Sequence, residues 1–221
     1  MGVDPRKRQK KLEKQKAKKK AEQRHLARRQ SQGMPARLEA SSRAPILHCC
    51  YLKALWEVGM GNVLISRQLG GGNVAFVVFL VDVYCLGVKN VHLDIVSRGV
   101  YDHKIYDHML KLGSVQHVKP EYARKLVESA VEYARALEFP PHPDYRIGKL
   151  IFGDISAEAC PEQFVFGHEG KPLFFAGPHD DAARCQEVLN TLHRVCGPDE
   201  YHFVLPSDLA PSLLLPERRA L

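Results

Sequence analysis

Asn73-Val74-Ala75-Phe76-Val77-Val78-Phe79-Leu80-Val81-Asp82-Val83-Tyr84-Cys85-Leu86 decides the fold class of this chain. β-Branched and aromatic residues occupy both alternating faces of the stretch, the pattern of a strand buried on both sides at the centre of a sheet. Gly70-Gly71-Gly72 precedes it and Gly87 follows it. The triple glycine lacks a Gly-Lys-Ser/Thr ending and leads into a strand, so it reads as a hairpin turn and not as a phosphate loop. Upstream, Val63 to Leu69 is a further strand, while Ile46 to Trp56 is apolar but ambiguous between strand and helix. Downstream, residues 88–97 put Val91, Leu93 and Ile95 on one face and Asn90, His92 and Asp94 on the other, a half-exposed neighbour joined by a hairpin hinged at Gly87.

Asp82 interrupts the apolar run. A buried carboxylate is costly unless it is paired, hydrogen-bonded or metal-bound. A hairpin centred on Gly87 would set Asp82 opposite His92, with Asp94 two residues along the same face. Asp82, His92 and Asp94 are therefore the candidate catalytic residues, a carboxylate, an imidazole and a second carboxylate suited to acid/base work or a divalent metal. The competing reading makes Asp82 a structural carboxylate satisfied by backbone or by a nearby Lys or Arg. A one-residue change in the turn would send Asp82 to the other face.

The second half turns helical. Pro120 opens a helix over 119–139 that carries Ala123, Leu126, Val127, Ala130, Val131, Ala134 and Leu137 at helical spacing, and Pro140-Pro141 stops it. Residues 163–167 and 171–176 read as a second hairpin. A last helix over 180–196, opened by Asp180 and Asp181, ends at Gly197-Pro198. Strands first and helices afterwards predict an α+β fold, an antiparallel sheet built on strand 73–86 with both helices packed on it.

The net charge of +7 resides in one end. Between Met1 and Gln30, Arg6, Lys7, Arg8, Lys10, Lys11, Lys14, Lys16, Lys18, Lys19, Lys20, Arg24, Arg28 and Arg29 face only Asp4, Glu13 and Glu22, a balance of +10. The rest of the chain holds nineteen basic and twenty-two acidic residues. Such an arm suits phosphates, and its Lys, Gln, Glu and Ala content favours helix once the charge is neutralised on binding. Leu12 and Leu26 are too sparse for a membrane-seeking apolar stripe. Residues 31–44 read as a linker and 45–221 as one α+β domain.

The six cysteines show no zinc-site spacing and read as reduced, buried small hydrophobes. The longest apolar run, Val74 to Val81, falls far short of the roughly 20 residues of a membrane-spanning helix. Tyr-Asp-His occurs at 101–103 and 106–108, but on a helix the two histidines diverge. No residue pattern implies a cofactor.

Val78-Phe79-Leu80-Val81-Asp82-Val83-Tyr84-Cys85-Leu86-Gly87-Val88-Lys89-Asn90, together with Ile151-Phe152-Gly153-Asp154-Ile155, resembles sequences of an uncharacterised group of bacterial proteins across roughly Pro45 to Gly177. The resemblance implies a bacterial cytoplasmic protein and no particular activity. The leading expectation is thus a cytoplasmic protein that binds RNA, the ribosome or another polyanion through residues 1–30, with no membrane partner. The alternatives are a metal-dependent hydrolase or nuclease around Asp82, and a protein-interaction module.

Overall fold

A computed structural model describes residues 33–177 and 180–206. The elements run α1 (33–41), β1 (Ile46–Leu52), α2 (Leu55–Val58), β2 (Met60–Gln68), β3 (Asn73–Asp82) and β4 (Gly87–Ser97). There follow α3 (98–112), β5 (Val115–His117), α4 (Pro120–Ala136), α5 (Tyr145–Gly148), β6 (Leu173–Phe175), α6 (Ala182–Cys196) and β7 (His202–Val204). The architecture is α+β, with a five-stranded antiparallel sheet ordered β4-β3-β2-β1-β5.

β3 is an interior strand paired on both sides, as its two-faced apolar pattern requires, but the middle of the five is β2, and β3 ends at Asp82 and not at Leu86. Val83, Tyr84, Cys85 and Leu86 form a buried turn. The apolar run continues because burial continues, while the backbone groups of the turn find partners outside the sheet. Val83 donates its N–H to Gly59 and accepts from Gly167, and the Tyr84 carbonyl accepts from Leu173. Gly87 follows at φ +64°, a left-handed conformation, but as the first residue of β4, paired with Asp82, and not as the hinge of the hairpin. The triple glycine likewise turns β2 into β3, with Gly71 and Gly72 at positive φ.

One face of the sheet carries Val63, Ile65, Val77, Phe79 and Val81 against α4, whose Leu126, Val127, Ala130 and Val131 form the inward stripe. Fully burying a Leu or Val of this kind stabilises the fold by about 1.5–3 kcal/mol relative to exposure. The other face packs Leu64, Phe76 and Cys50 under Tyr101 and Met109 of α3. Beyond the buried turn, Leu86 and Cys85 join Cys185, Val188, Leu189 and Leu192 of α6 in a third cluster. Asp181 caps α6, accepting the Arg184 N–H at 2.8 Å, so the acidic start read from sequence is a cap in fact.

Two further expectations differ from the structure. Residues 33–41 of the expected linker are helical, and Leu38 is 0% exposed within the main core, because one large apolar side chain suffices to seat so short a helix. The second hairpin does not form. Residues 163–167 are not a strand, and Leu173–Phe175 pairs in parallel with His202–Val204, a crossover that runs through α6 as parallel pairing demands. No helix among the described residues is long and apolar enough to cross a membrane.

Candidate functional site

Asp82 ends β3, is 4% exposed, and turns its carboxylate onto the backbone of the turn it introduces. Its Oδ1 accepts the N–H of Tyr84 at 3.0 Å and of Cys85 at 2.9 Å. Burial pushes its pKa above the ordinary carboxylate value, and the N–H groups of Cys85, Tyr84 and Leu86 together with the charge of Lys89 oppose that rise.

The expected pairing of Asp82 with His92 does not occur. Asp82 lies opposite Gly87, His92 opposite Val78, and Asp94 opposite Phe76. The turn spans four residues and the ladder shifts between Leu80 and Val81, so the hairpin is not centred on Gly87. His92 therefore sits level with a residue four positions back along β3, about 13 Å from Asp82 at roughly 3.3 Å per residue. Asp82, His92 and Asp94 do not converge on one point, and among the described residues no group of three His, Cys, Asp or Glu is placed to hold a metal.

Asp94 and Asn90 have a different task. Each bonds the N–H of the residue that follows it, Asp94 Oδ1 to Ile95 at 2.7 Å and Asn90 Oδ1 to Val91 at 2.8 Å. Since β4 is one of the two edge strands, these side chains occupy backbone donors that a foreign strand would otherwise use.

A polar cluster unforeseen from the sequence lies on the same sheet face. The Tyr101 hydroxyl is 2.8 Å from both Ser66 Oγ and His48 Nδ1, and Ser66 Oγ also accepts the backbone N–H of His48 at 3.0 Å. Residues 101–106 wind as a π-helix, which brings Tyr106 flat onto the His48 ring with centroids 3.9 Å apart. The pKa of His48 is lowered by burial first, then by the charges of Arg98 and His117, with Asp102 opposing. Ser66 and Arg67 following Val63-Leu64-Ile65 are the one sequence signal for this cluster, two polar residues at the end of an apolar strand.

Arg67, 5% exposed, points to the opposite face. Its Nη1 donates to the Ala44 carbonyl at 2.6 Å, its Nε to Ile151 at 2.8 Å and its Nη2 to Phe152 at 3.2 Å. One guanidinium thus ties the segment after α1 to the turn that follows α5. Beside it, a cleft of about 810 Å³ opens between α1 and α4. Arg43, Arg124 and Lys149 line it against Glu39, Glu128 and Asp154, and Arg124 is engaged by Glu128 at 2.9 Å and by the carbonyls of Gly153 and Ile155. Its charges are balanced, so it offers a polyanion no net attraction.

No family model, curated protein or solved structure matches the chain. The basic residues predicted to bind nucleic acid, from Arg6 to Arg29, lie outside the described residues.

Proposed function

We propose that this protein binds RNA or another polyanion in the cytoplasm through residues 1–30, with the α+β body as the unit that the arm delivers. The observation that carries the reading is the charge division, +10 in thirty residues against a body in which acidic residues outnumber basic ones by three. A polycation of this density gains affinity by releasing counterions from a phosphate backbone. Leu38 seats the helix over 33–41 in the main core, so the described part of the chain nearest the arm is anchored on the body. The six cysteines, all unpaired, suit a reducing compartment.

The test is binding of the full chain to RNA at several salt concentrations. If about six phosphates of a duplex are engaged, affinity falls by about a thousandfold between 50 and 200 mM salt. Replacing Lys16, Lys18, Lys19 and Lys20 by Gln should weaken binding and flatten the salt slope. An unchanged slope and affinity in that variant would overturn the assignment of binding to the arm.

A further inference from the structure

The sheet face under α3 holds a cleft of about 210 Å³ between that helix and strands β2 to β4. Its apolar floor is Val78 and Leu80 of β3, faced by Ile105, Met109 and Leu112 of α3. Around it stand Asn62, Asn90, His92, Lys104 and His108, drawn from three elements. Among the described residues, the side chains of Asn62, Lys104 and His108 have no hydrogen-bond or ion-pair partner, and the Asn90 side chain spends only its Oδ1, on the Val91 N–H. The His92 ring stands edge-on to buried Phe76, centroids 5.1 Å apart at 86°, which gives an exposed imidazole a rigid support.

Convergent polar groups without partners over an apolar floor are the makings of a ligand site. The lining contains an ammonium, two imidazoles and two amides, and no carboxylate. In a body whose acids outnumber its bases, that composition selects a ligand with negative charge and hydrogen-bonding edges. The volume is below the roughly 300–1,000 Å³ of pockets for drug-sized molecules, so the cleft suits a single planar ring. Imidazole faces stack on bases, amide groups match base edges, and a lysine at the rim matches a phosphate.

We infer that this cleft seats one nucleotide of a single-stranded nucleic acid, its base on the apolar floor beside His92 and its phosphate at Lys104. The inference rests on the polyanion reading of the arm and adds to it the strandedness of the ligand. Bases within a duplex are stacked and cannot enter a recess, whereas an unpaired base can be splayed into one.

Ultraviolet crosslinking of the full chain to a twelve-nucleotide single-stranded RNA, followed by peptide mass spectrometry, tests it alongside titrations of His92→Ala and Lys104→Ala, whose exposed positions leave the fold in place. Crosslinks to the peptides carrying residues 90–92 and 104–108 are expected. Lys104→Ala should weaken single-strand binding roughly three- to tenfold, lower the salt slope by about one, and leave duplex binding unchanged. Crosslinks confined to residues 1–30, with both variants binding like the parent, would overturn the cleft assignment and leave the arm reading intact. Failure of the parent to bind any nucleic acid would overturn both. A mononucleotide bound as tightly as the oligonucleotide would make the cleft a small-molecule site and overturn the inference.

Discussion

Asp82 closes the β3–β4 turn on Cys85, its Oδ1 2.9 Å from that residue's backbone nitrogen. The same oxygen serves Tyr84, so one buried carboxylate satisfies two donors of a turn that water does not reach. Asp82→Ala would orphan both. At about 1–3 kcal/mol for each buried donor left unsatisfied, it should lower unfolding free energy by about 2–6 kcal/mol in chemical denaturation. Asp82→Asn keeps an acceptor at Oδ1 and should retain most of the stability. Because the folded-state pKa is raised, the native chain binds this proton more tightly than the unfolded chain does. Its stabilising contribution is full below the ordinary carboxylate pKa near 3.8 and is lost as pH rises through the elevated value. Denaturation midpoints of Asp82→Asn measured from pH 4 upward should lack that decline.

His48 imposes the opposite dependence. Its folded-state pKa is lowered, so unfolding takes up a proton. The contribution is present above pH 6.5 and is lost as pH falls through the lowered value. His48→Gln should flatten the melting temperature between pH 7 and 5 relative to the parent. Tyr101→Phe, which removes the hydroxyl between His48 and Ser66, should cost about 1–2 kcal/mol in unfolding free energy.

Arg67 makes its three bonds with a planar fork that lysine cannot reproduce. Arg67→Lys should destabilise by about 2–4 kcal/mol, the cost of leaving one or two buried carbonyls unpaired. Hydrogen exchange should quicken first in α1 and in the turn over 149–152, the two segments that the guanidinium joins.

Asn90 and Asp94 guard the outer strand. The double variant Asn90→Ala/Asp94→Ala should raise the tendency to self-associate, seen as a concentration-dependent rise in apparent mass by light scattering, with the monomer's melting temperature little changed. A variant that stays as monodisperse as the parent would show that the remaining features of β4 protect the edge unaided.

Gly87 is held by sterics as well as by its φ of +64°. A Cβ there would lie 2.7 Å from the Ala130 carbonyl oxygen and 2.8 Å from Ala134 Cβ. Gly87→Ala should therefore cost about 2–4 kcal/mol, combining left-handed strain with overpacking against a helix backbone that has little freedom to retreat. Denaturant midpoints compared with Gly70→Ala, at a position with open space around it, isolate the effect.

What the sequence discloses follows the reach of each signal. The apolar stripe of α4 and the Asp181 cap of α6 are local patterns, and both helices fall where their spacing places them. The end of β3 was not legible, since hydrophobicity reports burial and Val83 to Leu86 are buried without being strand. The same limit reaches the site: the four-residue turn and the ladder shift leave no mark in the sequence, and the register they set holds Asp82 and His92 apart. α1 hid behind a stretch with a single large apolar anchor, Leu38. The triad of His48, Ser66 and Tyr101 joins residues up to 53 positions apart, a separation at which no spacing rule operates.

The π-helical segment Tyr101–Tyr106 sets where this chain tolerates a change in length. A π turn carries one residue more than an α turn, so losing the exposed His103 would let the segment relax to α geometry while Met109 keeps its place over the sheet. Losing one residue from the α-helical part, Asp107–Leu112, has no such outlet: every side chain beyond the gap swings by about 100° around the helix axis. Single-codon deletions across 98–112 should thus separate into a permissive turn and an intolerant one. The boundary between them falls at Asp107.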